Sequence, residues 1–373
     1  MIIYILLTLV TVLLSLMVSG DYKRIEYGYS RQRVINKVCI LCIFLLLFLV
    51  LALRINVGND YAHYVEYFHL IRCKLDTDVV VPTEFGFNLV CLAIYFLSGK
   101  TENYLLMFAV FAFLTIWLFL KGIKEQSESF PFTFFLFMTL GFYFQSLSTV
   151  RYYFVLALAF ASIPYLLRKE YLKFILLMLL GACFHKSMLL VIPMYLLASI
   201  PWKKWQFLPA GAVIASLVFF KDFYLKLFLL VYPTYEDTEY LEGGTSTIAI
   251  IRCVVILVFA LIMFRKIKED RTLSFYFYCN LGALVLYVFC SFLPSISRAG
   301  YYLTITQILF IPALIKRIEN DKLRRTVTVL TVLACLGYFA VFLVYKAPAD
   351  GLRILPYQTF LYHDMVPILS DVS

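Results

Sequence analysis

The stretch VCILCIFLLLFLVLALRINVGNDYAHYVEYF, residues 38–68, begins as an unbroken apolar run and stops being one at Arg54. The chain then turns through Gly58 and Asn59 and delivers Asp60, His63, Glu66 and four aromatic rings by residue 68. The first half has the composition of a segment that crosses hydrocarbon, whose core of about 30 Å takes roughly 20 residues of helix. The second half has the composition of a chain that leaves that core and meets water and head groups.

Working outward, apolar runs with short polar punctuation recur near 2–19, 38–54, 103–120, 132–148, 152–167, 171–185, 187–200, 205–220, 247–264, 273–292, 299–315 and 326–345. They predict an all-α polytopic integral membrane protein with about twelve transmembrane helices, within a range of roughly 11–13. The tract 171–200 is interrupted by Gly181, His185 and Pro193, so it reads either as two short crossings or as one kinked helix with a re-entrant piece. FGFNLVCLAIYFLSG, residues 85–99, is too short to span and reads as an interfacial or re-entrant helix. Composition agrees: of 373 residues, 63% are hydrophobic, 18% aromatic and 15% charged, which leaves no polar skin for a soluble domain. The reading is one integral membrane domain over 1–373, with exterior segments at 54–102 and 221–246 and an exterior tail at 346–373.

Charge sets the orientation. The loops DYKRIEYGYSRQRVINK, KGIKEQSE, RKEYLK, PWKKW, RKIKEDR and KRIENDKLRR hold 21 of the 33 Lys and Arg residues, and by the positive-inside rule they are cytoplasmic. The net charge of +10 is therefore a topology signal and not one for nucleic acid. With 54–84 outside and KGIK inside, only one of 85–99 and 103–120 crosses, and both termini face the exterior. Met1-Ile2-Ile3-Tyr4 carries no basic n-region, so the first helix reads as a retained anchor. The nine cysteines lie mostly in apolar runs; Cys39-x-x-Cys42 reads as two small apolar residues, and Cys73 alone is clearly in an exterior loop. No GxxxxGK[ST] phosphate loop occurs, and nothing points to ATP hydrolysis.

The ionisable residues outside the cytoplasmic loops collect at one face: Arg54, Asp60, His63, Glu84, Arg151, His185, Lys186 and Arg298 all fall at or near exterior helix ends. Charges at such depth are costly unless they face a wet cavity or each other, so they mark a candidate site. Asp60 suits the N-cap of a helix presenting Tyr61, Tyr64, Val65 and Phe68; it either caps that helix or accepts a proton at a cavity mouth where Arg54 binds an anion. Glu84 favours the start of the short segment through the helix dipole, or points into the same cavity. Arg151 and Arg298 run against the positive-inside trend, and either snorkel to lipid phosphates or bind a substrate phosphate. His185 beside Lys186 inside an apolar tract is the sharpest feature: near an anion, the histidine is a base or a hydrogen-bond donor and the lysine its charge partner. YPTYEDTEYLEGGTST, residues 232–247, suits a sugar or a solvated lid equally. Cations and a histidine around an aromatic-lined exterior cavity match the head group of an anionic lipid. Glycosyl transfer from a lipid pyrophosphate needs both cations for the departing group and a base for the acceptor hydroxyl.

In order along the chain stand Arg54 with Val57-Gly58-Asn59-Asp60-Tyr61 and Tyr64, Glu84-Phe85-Gly86, Arg151, Phe184-His185-Lys186-Ser187 before Pro193, Ser297-Arg298 with Tyr301, and Pro356-Tyr357. This series resembles the EpsG-type branch of the Wzy-like bacterial exopolysaccharide and O-antigen polymerases; Tyr152 departs from it, standing where the pattern has glutamine. The resemblance implies a GT-C-like, metal-independent glycosyltransferase without a cofactor. Such an enzyme joins undecaprenyl-pyrophosphate-linked oligosaccharides, donor and acceptor alike, on the outer face of the bacterial cytoplasmic membrane, and often works with a chain-length regulator. On that reading Arg54, Arg151 and Arg298 bind pyrophosphate, Tyr61, Tyr64 and Tyr301 line the site, His185 or Asp60 is the catalytic base, and Lys186 and Glu84 orient the substrates. The product is O-antigen, capsule or exopolysaccharide. A glycan ligase, an exterior-face acyltransferase and a lipid-linked oligosaccharide flippase are the alternatives, the last expected to carry its charges near the bilayer midplane.

Overall fold

The computed structural model describes residues 1–19, 31–231, 244, 246–294 and 296–362. From the N-terminus come helices α1 (Ile2–Leu16), α2 (Arg31–Ala52), α3 (Tyr61–Cys73), α4 (Phe85–Leu97), α5 (Tyr104–Gln126) and α6 (Phe130–Thr139). Then follow α7 (Phe142–Gln145), α8 (Val150–Leu167), α9 (Tyr171–Ala182), α10 (Val191–Ser199), α11 (Phe207–Phe219) and α12 (Lys221–Val231). The remainder are α13 (Thr247–Ile262), α14 (Phe264–Glu269), α15 (Arg271–Phe289), α16 (Ile296–Thr304), α17 (Gln307–Lys316) and α18 (Asp321–Val341). Among the described residues the only strand-like pairing is one bridge between Arg54 and Thr359.

Among the described residues six stretches are long and apolar enough to cross a membrane: α2, α5, α8, α15, Arg298–Lys316, and α18 with the turn after it. Other apolar helices, α1, α6, α9, α11, α13 and the Lys186–Ser199 stretch among them, run 10–17 residues. All the apolar runs in the sequence are helical, but several bounds differ from expectation. The run 132–148 breaks after Thr139, because Gly141 takes the left-handed conformation (φ 82°) and ends α6 there. Helix α2 starts at Arg31, ahead of the apolar run, and is tied to the end of α1 through Asn36. Its Nδ2 donates to Ser19 O at 3.0 Å, and its Oδ1 accepts from Ser19 N–H at 3.2 Å. The segment 85–99 is a 13-residue helix, too short to span. The tract 171–200 forms a helical hairpin, α9 and α10 joined through a tight turn at Lys186–Leu190, with Phe174 stacked on Tyr195 at 6.3 Å. Of the segment 221–246, read as a loop, residues 221–231 are helix α12, and residues 232–243 and 245 lie outside the described residues.

The described residues fall into two compact units, one comprising Met1–Ser162, Leu176–Met188 and Ile318–Ser373, the other Ile163–Ile175 and Leu189–Arg317. In the first, α5 lies deep and α2 is peripheral. Cys39, Ile43, Leu47 and Leu51 of α2 face inward at four-residue spacing, while Leu41, Leu45 and Leu49 are exposed. A helix apolar on both faces needs lipid on the outer one, since in water that stripe would drive aggregation. Towards the outer side, the exposed Phe113 of α5 meets Phe44 and Phe48 edge-on at 5.3 and 6.3 Å.

The second unit is organised around α15. Tyr195 of α10 donates its hydroxyl proton to Tyr302 O at 2.6 Å and sets its ring edge-on to Phe275 at 5.4 Å. Three buried polar residues from three helices interlock: Gln307 Nε2 donates to Asn280 Oδ1 at 2.8 Å, and Asn280 Nδ2 donates to Cys253 O at 3.0 Å. A buried amide pair of this kind specifies which faces meet. At the start of α15, Asp270 accepts from Thr272 and Leu273 N–H and pairs with Arg317 at 2.9 Å.

Candidate functional site

The loop after α2 is held by the C-terminal tail. Ile55, Gly58 and Asn59 N–H donate to the carbonyls of Gln358, Arg353 and Leu352, at 3.1, 2.9 and 3.1 Å, and Phe360 N–H returns to Leu53 O at 3.3 Å. Side chains reinforce this lacing, with Tyr357 donating to Val50 O at 3.0 Å and Tyr4 to Ile354 O at 2.7 Å. Gly58 is required twice over: its φ is 102°, and a Cβ there would stand 2.2 Å from Leu147 O.

Arg54 lies beneath this loop, 2% exposed, and not at a cavity mouth. Its Nη1 donates to Leu51 O and its guanidinium sits 4.6 Å from the Phe108 ring centre. Its Nε has no hydrogen-bond partner among the described residues. A small pocket lined by Arg54, Leu51, Phe108, Thr115, Ser146 and Val150 has room for about one water molecule. Burial pushes the Arg54 guanidinium below its ordinary pKa, and the phenols of Tyr61, Tyr357, Tyr143 and Tyr4 pull it back up. Tyr61 is buried too, stacked on Phe108 at 4.5 Å.

Next to this core is a polar cluster assembled from four places in the chain. Glu84, in the N-cap position of α4, makes no capping bond; instead its carboxylate pairs with Arg151 Nη1 and accepts Lys186 N–H at 3.1 Å. The approach is close because Gly86 N–H donates to Cys183 O at 2.7 Å, where a Cβ on residue 86 would come within 2.8 Å of that oxygen. The Arg151 guanidinium is surrounded by rings, 5.8 Å from Tyr64, 5.7 Å from Tyr67 and 5.3 Å from Phe87. Arg151 N–H also donates to Tyr64 OH at 3.2 Å. Burial, with Asp60 adding to it and Arg151 opposing, raises the Tyr64 phenol to about 12, so it stays a neutral hydroxyl. Asp60 occupies the N-cap position of α3 without capping it. Its charge acts on Tyr64 and Tyr67.

His185 sits at the tip of the α9–α10 hairpin. Its Nδ1 accepts Ser187 N–H at 3.3 Å and is 2.7 Å from Ser187 Oγ. A neutral ring that accepts at Nδ1 carries its proton on Nε2, so the outer nitrogen is a donor. Tyr152, the departure from the expected glutamine, packs edge-on against this ring at 5.6 Å. Lys186 is exposed, and His63 is on the surface, 3.7 Å from Glu66. Among the described residues no group of three or more His, Cys, Asp or Glu side chains is placed to hold a metal ion.

The EpsG family model matches residues 37–359 of the chain. The chain belongs to the EpsG family. No curated protein and no solved structure matches it. Membership supports, in general terms, a membrane-embedded polysaccharide polymerase, and the structure brings Tyr64, Glu84, Arg151, His185 and Lys186 of this EpsG-family chain into one cluster with Asp60 alongside. Arg54 and Tyr61 lie in the adjoining core, and Arg298 and Tyr301 stand half-buried on α16 of the second unit. There the Tyr287 ring closes on Gly300, within 2.2 Å of where a Cβ would stand. The sequence reading quoted Ser187 in its motif without giving it a role and named neither Tyr67 nor Phe87 as a site residue; these three complete the surroundings of Arg151 and His185. Tyr67 stood in the motif, three residues after Tyr64. It also missed Arg252, a lone arginine inside the apolar run of α13, which acts electrostatically on Tyr287.

Proposed function

We propose that this EpsG-family protein joins undecaprenyl-pyrophosphate-linked oligosaccharide repeats on the outer face of the cytoplasmic membrane, using a GT-C-like arrangement of about twelve spans with both termini outside. The observation that carries this reading is Glu84, which pairs with the Arg151 guanidinium and accepts the Lys186 backbone N–H of the turn that carries His185, beside a set of aromatic rings. Arg151 and the Lys186 ammonium stabilise the charge that develops on the departing pyrophosphate, and the His185 Nε2–H donates to it. Asp60, adjacent to Tyr64, takes the proton from the acceptor hydroxyl as that oxygen attacks the anomeric carbon and the bond to pyrophosphate breaks. Glu84 holds Arg151 and the hairpin tip in register. Arg54, buried below, braces the loop that carries Asp60. No cofactor enters, and a chain-length regulator is a candidate partner.

The test is the size distribution of surface and lipid-linked glycan in a strain lacking the protein, with wild type, Arg151→Ala and His185→Ala returned separately. Single repeats on the outer leaflet in the deletion, restored to long chains by wild type alone, are the expected result. Long chains in the deletion strain would exclude polymerisation and leave ligation, acylation or transport.

A further inference from the structure

The first unit carries a second cluster that the polymerisation chemistry does not use. His69 and Cys73 stand one turn apart on α3, with Cys73 Sγ 3.5 Å from His69 Nε2. The other side of the ring is held by Glu102, whose two carboxylate oxygens lie 2.9 and 3.2 Å from Nδ1. Tyr104 OH fixes that carboxylate in turn, and Arg72 Nη1 donates to the sulfur at 3.7 Å. A carboxylate accepting from Nδ1–H leaves the lone pair of Nε2 facing the thiol. That is the order of nucleophile, base and orienting carboxylate by which side chains are activated. The His69 ring is 54% exposed and Cys73 is half-buried, so a small reagent reaches the sulfur. Cys183 supplies an internal contrast: it is exposed, and its thiol simply donates to Leu179 O at 3.5 Å.

We infer that Cys73 is a reactive-thiol site, open to covalent modification by small disulfides in the aqueous space beside α3. His69 Nε2 takes the thiol proton, the Cys73 sulfur attacks one sulfur of the disulfide, and the S–S bond breaks. The second half leaves as a thiolate and recovers the proton from His69. Cys73 ends oxidised in a mixed disulfide and the incoming disulfide ends reduced, so the exchange balances with no other co-reactant. The inference is independent of the glycan chemistry.

The test uses the full-length protein in detergent micelles with limiting oxidised glutathione at neutral pH, followed by peptide mass spectrometry of Cys73 and Cys183. Cys73 should form the mixed disulfide about tenfold faster than Cys183, and His69→Asn should bring it within about twofold of Cys183. Glu102→Gln, which spares both sulfur and ring, should slow Cys73 about threefold. In detergent-denatured chain the two thiols should react alike. Equal rates in the folded wild type, a Cys73 rate unchanged by His69→Asn, or a difference that survives denaturation would each overturn the inference.

Discussion

Glu84 and Arg151 are 67 residues apart in sequence and form an ion pair whose side chains are only 15% and 13% exposed. Removing one partner leaves the other charge poorly solvated, which costs about 3 kcal/mol for a pair this buried. Glu84→Ala also strands Lys186 N–H, adding about 1 kcal/mol. Removing both charges should cost little more than removing one, because neither remains uncompensated, giving a coupling energy of about 2 kcal/mol. With about 2.1 cal/mol/K of unfolding entropy per residue, each kcal/mol moves the midpoint of a chain this long by roughly 1.3 °C. The expectation is a drop of about 4 °C for Arg151→Ala, about 5 °C for Glu84→Ala and about 6 °C for the double variant, where strict additivity would give about 9 °C. Heating purified protein in detergent and quantifying the remaining folded peak by gel filtration measures all three. Additive shifts would show that the two groups do not interact in the folded protein, and the cluster as described would be wrong.

Other expectations follow from the same contacts. Gly58→Ala places a Cβ 2.2 Å from Leu147 O at φ 102°, and should cost roughly 3 kcal/mol or more, read as lost folded yield. A chain stopped after Lys346 loses the acceptors for Ile55, Gly58 and Asn59 N–H, so limited proteolysis should open at residues 53–60 well before any site in α5. Asn280→Leu should destabilise by about 2 kcal/mol by leaving Gln307 Nε2 only the weak acceptor Cys253 Sγ, while Asn280→Leu with Gln307→Leu should be close to neutral in the same thermal assay. Ser187→Ala removes the hydroxyl 2.7 Å from His185 Nδ1 and leaves only the residue-187 N–H to hold the tautomer, so it should lower the rate of chain growth several-fold, about 1 kcal/mol of hydrogen bond, short of the loss in His185→Ala; an unchanged rate would mean that this hydroxyl is immaterial.

Much of this protein was legible in its sequence for a physical reason. Transfer into hydrocarbon is close to a sum over consecutive residues, so apolar runs identify themselves as membrane helices wherever they occur, and the 13-residue α4 declares its shortness in the same way. Arg151 and the His185-Lys186 pair stood out because charge in or beside an apolar run is costly unless it meets water, a head group or another charge. The pairings did not stand out, because they depend on how the chain closes on itself: Tyr4 meets Ile354 across 350 positions, and Glu84 meets Lys186 across 102. Asp60 and Glu84 both read as helix caps, and neither caps; Glu84 is drawn instead to Arg151 and the Lys186 N–H that the fold brings to it. Arg54 looked like a residue at a cavity mouth until the tail laid itself over the loop and buried it. Which side chains must leave the lipid is a local property of the chain; what each then faces is set by contacts that exist only once distant helices have packed.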